Sequence, residues 1–426
     1  MKVYLDTIGC RLNQSEIERL ALQFRAAGHE VVETSAEADL VVVNTCAVTS
    51  EASSDSRQKI RQAARSGAGA IAATGCWATL DPTAAAALPG VTWVVPNAEK
   101  ENLLADVLKI PVEEIDLEPL AREPLPGIHQ RTRAFIKVQD GCDNFCTFCV
   151  TRLARGRGRS VPLQDVLKDI RRAVAGGARE VVLSGVHLGS WGQDFASPQT
   201  LRGLIEAILK DEAGFLRLRL SSLEPWDLDE SFFALWQDRR MCRHLHLPLQ
   251  SGSAGTLRRM ARKITPQAYA QLVAQARSAI PDLAVTTDII AGFPGETESE
   301  FQESLDFVRQ MDFATGHVFS FSPRPGTAAA AQRQLAPAVR KARNAALREV
   351  LTEAAARYRA RFIGKTQNVL WETASAFGPQ GWQLEGLTDT YLRVSAPCAE
   401  RRWNQLDAVR LEAVAGDGLR GSLILK

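Results

Sequence analysis

The sequence predicts an α/β multidomain protein with three parts: an N-terminal parallel α/β sheet domain, a partial (βα)6 barrel of the TIM type, and a small antiparallel β-barrel at the C-terminal end. Three observations carry this. The first hundred or so residues alternate short apolar runs with helical ones, and a second series of the same kind follows a Pro- and acid-rich stretch. The last sixty or so residues then switch to short alternating runs separated by Gly, Pro and Asp. With 426 residues the chain exceeds what one compact core usually supports, so two or three domains are expected.

The first series contains the strand-like runs KVYLD, EVVET, ADLVVVN, AIAAT and VTWVV, separated by the helical SEIERLALQFRAAG and SSDSRQKIRQAARSG. Asn13, with Glu16 three residues on, predicts an N-cap with a capping box, and Gly28 marks the end of that helix. Cys10, Cys46 and Cys76 each come after an apolar run. In a parallel sheet the C-terminal strand ends share one edge, the usual place for ligands, so three thiols distant in sequence converge there and suggest a metal. The domain is expected to span 1–115.

A Pro- and acid-rich linker over about residues 110–133 leads into the second domain, expected at 128–360. Its strand-like runs are AFIKV, EVVLSG, LRLRLSS, HLHLPL, AVTTDIIAG and HVFSFS, with VPLQDVLKDIRRAVAGG and ESEFQESLDFVRQ among the helical stretches. Six βα units suggest an incomplete parallel barrel. An Ala- and Arg-rich stretch near 332–362 is long enough for a connecting helix. The runs NVLWET, WQLEGLT, YLRVSA, AVRLEAV and SLILK then predict the last domain, 361–426.

Hydrophobic residues make up 45% of the chain and charged residues 23%, which argues against disorder. The net charge of +2 does not mark a nucleic-acid binder by bulk electrostatics, so any basic surface must be local. The opening MKVYLDTIGCRLNQSE is broken by Asp6 and reads neither as a secretory signal nor as a membrane anchor, and no run approaches a membrane span. Eight cysteines in such a chain point to metal binding or catalysis in a reducing compartment.

The segment GCDNFCTFCVTRLARGRGRS places Cys142, Cys146 and Cys149 in a C-x3-C-x2-C triplet after the first strand of the second series. Three thiolates so spaced can hold three irons of a 4Fe-4S cluster and leave the fourth open to a small molecule. A closed zinc site needs a fourth ligand, and the nearest histidines, His129 and His187, have the wrong spacing. With Phe148 before its last cysteine, the triplet resembles the signature of radical S-adenosylmethionine (SAM) enzymes. The resemblance implies that SAM chelates the open iron and is cleaved reductively to a 5'-deoxyadenosyl radical.

TIGCRLNQSE, NTCAVTSEA and TGCWA resemble the blocks of methylthiotransferases that carry a second, auxiliary 4Fe-4S cluster, and the C-terminal barrel stands where that family has its RNA-binding TRAM domain. NTCAVTSEA with SRQKIRQA, together with LRLSSLEP and HLPLQSGS, most resembles the branch that converts N6-threonylcarbamoyladenosine at tRNA position 37 to its 2-methylthio derivative. Other branches act on isopentenyladenosine tRNA or on a ribosomal protein. The resemblance implies a cytoplasmic enzyme with two 4Fe-4S clusters, Cys10, Cys46 and Cys76 holding one and Cys142, Cys146 and Cys149 the other. One SAM methylates sulfur and a second supplies the radical that removes hydrogen from carbon 2 of the adenine. Contacts to SAM are expected from Phe148, Arg157, Ser184, Gly185, Glu224, Gln250, Ser251, Asp288 and Gly292, with no catalytic residue beyond the cluster ligands. Partners are the tRNA anticodon loop and an electron donor such as flavodoxin or ferredoxin; the sulfur donor is not identified, and no membrane is involved.

The chain departs from the family after Cys149: Val150, Thr151, Arg152 and Leu153 replace an Ile-Pro-aromatic stretch, which implies altered packing or substrate contact rather than loss of the cluster. Arg152, Arg155, Arg157 and Arg159 form the densest cationic run and suit a SAM carboxylate, RNA phosphates or a solvated face. In the last domain Lys365, Arg393, Arg401 and Arg402 offer phosphate contacts, while Trp382, Tyr391 and Trp403 stack on bases or fill the core. Cys242 and Cys398 read as isolated side chains. Outside the methylthiotransferase reading stand a two-cluster electron carrier with an RNA-binding tail and a zinc-stabilised RNA adaptor.

Overall fold

The computed structural model describes residues 1–109, 132–376, 378 and 381–424. Two compact units are present, one comprising Met1–Leu201, Asp211–Gly214 and Arg324–Thr327, the other Arg202–Lys210, Phe215–Pro323 and Ala328–Lys426. The linker expected at 110–133 falls almost wholly outside the described residues, as do His129 and the boundaries at 115 and 128.

The first unit opens with five strands, β1 (Lys2–Thr7), β2 (Glu30–Val31), β3 (Leu40–Thr45), β4 (Ala70–Gly75) and β5 (Val91–Val95), in the order β2-β1-β3-β4-β5. Every pairing is parallel. Helices α1 (Arg11–Ala26), α2 (Ser50–Arg65), α3 (Cys76–Leu80), α4 (Pro82–Ala86) and α5 (Leu103–Leu108) complete the α/β pattern. Alternation along β3 sends Leu40 and Val42 into a core with Ile17, Phe24 and Leu103, and Val41 and Val43 into an opposite core with Ile60, Ile71 and Trp77. Both faces are covered, which is why β3 reads as one continuous apolar run. The strand order reverses between β1 and β3, creating the kind of crevice in which open α/β sheets bind ligands.

The same unit continues with β6 (Arg133–Lys137), β7 (Gln139–Asp140), α6 (Thr151–Arg155), β8 (Arg159–Ser160), α7 (Leu163–Ala175) and β9 (Glu180–Ser184). β6 pairs in parallel with β9, and β7 pairs antiparallel with β8. The cysteine triplet lies in the loop between β7 and α6.

The second unit carries α8 (Leu201–Lys210) from its second residue onward, β10 (Arg217–Leu220), β11 (His244–His246), α9 (Ala254–Arg259), α10 (Pro266–Ala279), β12 (Ala284–Ala291), α11 (Glu298–Met311) and β13 (Thr315–Ser320). β11, β12 and β13 are parallel neighbours. The six strands expected for the second series are thus all present as β6 and β9–β13. The Ala- and Arg-rich stretch is α12 (Pro337–Ala360), which carries Tyr358 in its last turn, with Phe362 just beyond its end. Both rings pack into the core of a closed barrel, β14 (Thr366–Ala376), β15 (Trp382–Thr388), β16 (Arg393–Cys398), β17 (Leu406–Ala415) and β18 (Gly418–Leu423), with Val369, Trp371, Leu384 and Leu411. Among the described residues no helix is long and apolar enough to cross a membrane.

One local expectation is corrected. α1 starts at Arg11 with Cys10 at its N-cap position, so Asn13 and Glu16 are buried inside the helix rather than capping it. Their side chains are drawn away from the helix end by other partners, Asn13 by backbone carbonyls and Glu16 by two buried cations. Gly28, at φ +79°, follows the end of α1 as expected.

Candidate functional site

Cys10 stands at the entry to α1, Cys46 directly follows β3 and Cys76 directly follows β4. All three therefore lie at the carboxyl edge of the sheet, with Cys10 and Cys46 on either side of the reversal in strand order. Cys46 and Cys76 are buried, Cys10 is exposed, and none is in a disulfide. Close approach of the loops needs glycine: a Cβ on Gly9 would stand 2.6 Å from the Cys46 sulfur, and Gly75, at φ +94°, is pressed against the Thr45 backbone. Burial pushes the Cys46 thiol up to about 11, and the neighbouring cysteines act in the same direction.

The supports of these cysteines are polar and buried. Asn13 Nδ2 donates to the carbonyls of Ile8 (2.7 Å) and Thr45 (3.1 Å), binding together the segments that precede Cys10 and Cys46. Asn97 Nδ2 lies 3.6 Å from the Cys76 sulfur and donates to the Ala154 carbonyl at 2.8 Å. Glu16 accepts from Lys100 (2.7 Å) and from Arg155 (2.8 Å), and Arg155 also donates to Asp140 (2.9 Å). Burial alone would raise the Glu16 pKa, but Lys100, Arg155 and Lys137 outweigh it and hold the carboxyl well below its usual range.

The triplet loop is held differently, through backbone groups close to it in sequence. Cys142 N–H donates to the Gly156 carbonyl (3.1 Å) and Cys149 N–H to the Cys146 carbonyl (3.1 Å). Backbone N–H groups of Asn144 and Thr151 point at the sulfurs of Cys142 and Cys149, each at 3.4 Å. Gln139 Nε2 donates to the carbonyls of Asp140 and Gly141, each at 2.9 Å, while its Oε1 accepts from His187 N–H at 2.8 Å. Gly141, at φ +69°, faces the Arg157 carbonyl so closely that no side chain fits.

Both donor sets suit iron–sulfur clusters: thiols without disulfides, N–H groups aimed at sulfur, and one protein ligand short of closing a four-iron site. Among the described residues no three His, Cys, Asp or Glu side chains are gathered tightly enough to clasp a single ion.

The first unit also contains the expected SAM contacts Phe148, Arg157, Ser184 and Gly185. Ser184 ends β9, buried, with Oγ 3.4 Å from the Val182 carbonyl, and Gly185 packs against Gln139 and Leu188. The Arg157 side chain is 87% exposed and pairs with Asp143 at 3.4 Å. The rest of the cationic run divides. Arg152 lies over the exposed Phe145 ring at 3.8 Å and Arg159 is half-exposed, whereas Arg155 is buried and faces protein carboxylates rather than a ligand or solvent.

Glu224, Gln250, Ser251, Asp288 and Gly292 belong to the second unit. Glu224 is held in a fork by Arg262 (3.0 and 2.6 Å), which lies over the Trp226 ring. Gln250 adopts φ +69° and bonds through its backbone to Asp288 and Ile290. Ser251 is buried against Ser304, Asp288 faces His246 at 3.3 Å, and Gly292, at φ +70°, abuts Arg340. In the barrel, Arg402 pairs with Asp407, Lys365 with Asp282 (3.1 Å), Arg401 lies over Trp382, and Tyr391 stacks on His244.

Asn13, Asn97 and Lys100 as supports of the cysteine loops are not visible in the sequence, because their partners include residues distant along the chain, and Gln139 belongs to no motif although it bonds to the neighbouring Asp140 and Gly141. The run of arginines did draw attention to Arg155, but toward the wrong kind of partner.

Residues 136–308 match the model of the radical SAM superfamily, and residues 2–95 match that of the uncharacterized protein family UPF0004. The threonylcarbamoyladenosine tRNA methylthiotransferase MtaB of Bacillus subtilis (strain 168) is 36% identical over 412 residues, covering 92% of this chain and 89% of its own. Its namesake from Thermotoga maritima is 37% identical, with 98% and 96% covered. A tRNA-2-methylthio-N(6)-dimethylallyladenosine synthase of Maricaulis maris is 31% identical, with 99% and 97% covered. Among solved structures, the radical S-adenosylmethionine methyltransferase TsrM of Kitasatospora setae, with cobalamin and a [4Fe-4S] cluster bound, superposes with a TM-score of 0.57 at 17% identity, covering 77% of each chain. That likeness concerns the fold alone.

Proposed function

The chain belongs to the radical-SAM methylthiotransferase family, whose members bind SAM and 4Fe-4S clusters, and on that premise we propose that it places a methylthio group on carbon 2 of N6-threonylcarbamoyladenosine at tRNA position 37. The observation that carries the reading is that one compact unit holds two separate sets of three cysteines, each one ligand short of closing a four-iron cluster. The choice of substrate is supported by relatives of the threonylcarbamoyladenosine branch at 33–37% identity, against 31% for relatives of the dimethylallyladenosine branch.

In this reading Cys142, Cys146 and Cys149 hold the cluster that meets SAM, and Cys10, Cys46 and Cys76 hold the auxiliary one. When bound, the clusters and SAM supply an electron, a carbon-centred radical, sulfur and a methyl group. Carbon 2 of adenine has neither an acidic proton nor a leaving group, so acid–base chemistry has no easy route to it and hydrogen abstraction does. The chain's own part is to orient and exclude. Gln139 fixes the entry to the triplet loop, Asn13 and Asn97 fix the strand-end loops, and Phe148, Arg157, Ser184, Gly185, Glu224, Gln250, Ser251, Asp288 and Gly292 are assigned to the SAM side. The functional division is 1–115 for the auxiliary cluster, 128–360 for the radical and 361–426 for an unstacked anticodon loop. The reaction is placed in the cytoplasm, with a flavodoxin or ferredoxin as electron donor and a sulfur donor still to be found.

Nucleosides from a strain lacking the gene should contain threonylcarbamoyladenosine without its 2-methylthio derivative, and complementation should restore it. An unchanged 2-methylthio product would sink the assignment. Loss of the isopentenyladenosine product, or of a ribosomal-protein modification, would move it to another branch. Absence of 5'-deoxyadenosine from cluster-replete, reduced protein given SAM would favour an electron carrier.

A further inference from the structure

We propose that Arg155 is a positioning residue for Cys10 and Cys46, as the Ala154 carbonyl beside it is for Cys76, which makes the helix directly after the triplet loop a working part of the other cysteine site. The inference rests on the reading of those three cysteines as ligands of the auxiliary cluster.

Two consecutive residues of α6 reach the supports of all three loops. Arg155 Nη2 donates to Asn13 Oδ1 at 2.7 Å. With its oxygen so engaged, the Asn13 amide turns Nδ2 toward the carbonyls of Ile8 and Thr45, the residues leading into Cys10 and Cys46. The Ala154 carbonyl accepts from Asn97 Nδ2, the same group that lies 3.6 Å from the Cys76 sulfur. Arg155 itself is locked by Glu16 at 2.8 Å and Asp140 at 2.9 Å, and only 2% of its side chain is exposed. The planar fork matters here, because three acceptors in different directions are met by one group.

A buried ion pair kept for stability alone is weakly justified, since apolar residues of similar volume often serve as well. The bond from Arg155 to the uncharged Asn13 points to the cysteine loops instead. Lys100, Lys137 and Arg155 face the carboxylates Glu16, Asp140 and Glu101, the last 3.3 Å from Lys137, and Arg155 contributes one positive charge to this network beside the thiols. A thiolate–iron assembly is anionic, and local charge and hydrogen bonds set its reduction potential. Arg155 thus acts on the site in two separable ways, by holding Asn13 and by supplying one positive charge near the thiols.

The full-length chain carrying C142A, C146A and C149A, reconstituted anaerobically with ferrous iron and sulfide, tests this because only the first set of cysteines can then be loaded. With Arg155 present it should hold about four irons. R155M, which removes one positive charge from the network, should release iron to a chelator about tenfold faster or more, with a changed electron paramagnetic resonance spectrum and a lowered midpoint potential. R155K keeps the charge without the fork, so the potential should return while iron release stays fast. R155M combined with E16Q removes one charge of each sign and leaves no newly unpaired carboxylate; it decides the matter if R155M does not fold, and should release iron quickly at a near-parental potential. Parental iron release, spectrum and potential in both R155K and the double variant would overturn the proposal. If the parent with Arg155 takes up no iron, the assignment of Cys10, Cys46 and Cys76 fails, and the inference falls with it for that separate reason.

Discussion

Cys142, Cys146 and Cys149 sit in one short loop whose backbone hydrogen bonds close on nearby residues such as Cys146 and Gly156, whereas Cys10, Cys46 and Cys76 come from three strand ends and are supported by side chains from elsewhere. The first set is a local structure and the second a product of the whole sheet. The two should therefore fail in different ways. Disturbing the loop without moving α6 should cost one site only, while disturbing the sheet edge, or the buried charges behind it, should cost the other.

The largest effect comes from removing the thiols. Replacing Cys142, Cys146 and Cys149 together by Ala should abolish formation of 5'-deoxyadenosine. The same replacement at Cys10, Cys46 and Cys76 should leave SAM cleavage measurable and stop sulfur insertion into tRNA, read by nucleoside mass spectrometry. Equal loss of both activities in the two variants would contradict the division of labour.

Glycines sharpen the contrast at a smaller scale. Gly75 leads into Cys76 at φ +94° with the Thr45 backbone where a Cβ would be, and Gly141 leads into Cys142 at φ +69° against the Arg157 carbonyl. An alanine at either position takes on about 1–3 kcal/mol of backbone strain before any overlap is relieved. G75A should lower iron bound by the dispersed set and spare the triplet, and G141A should do the reverse. Iron counts in the two three-cysteine backgrounds separate these outcomes; identical losses from both glycine variants would show that the sites are not independent in this respect.

How much of this was legible in the sequence follows the same line. The triplet is readable because its geometry is carried by spacing, and the five strands of the first sheet because apolar runs and helical runs alternate. The convergence of Cys10, Cys46 and Cys76 could be argued from strand ends alone. That Cys10 and Cys46 flank the reversal in strand order could not, since the order β2-β1-β3-β4-β5 is set by long-range packing. Asn13 and Glu16 show the limit most clearly. Their spacing matches a capping box, a local motif, but in the fold Thr45, Lys100 and Arg155 compete for the same side chains and win, because an inward-facing polar group must find its partner in the interior. Arg155 was misread for the same reason: a cationic run looks solvated or ligand-facing until a buried carboxylate turns up opposite one of its members.

The smallest effect concerns acid. Lys100, Arg155 and Lys137 hold the Glu16 carboxyl well below its ordinary 4.5 against the opposing pull of burial. A carboxyl whose pKa falls on folding contributes stability that is fully present above its unfolded value and is lost as the pH drops through the folded one. The metal-free protein should therefore lose melting temperature increasingly below about pH 4.5. E16Q, although less stable at neutral pH, should show a shallower fall over the same interval. Glu300 in the second unit is also held low, by Arg259 and Thr297, but is more open to solvent, where screening weakens such pairs. E300Q should change the acid slope less than E16Q does. Thermal melts between pH 3 and 6 decide the point, and an E300Q effect as large as that of E16Q would mean that the buried charges behind the dispersed cysteines carry no special share of the acid sensitivity.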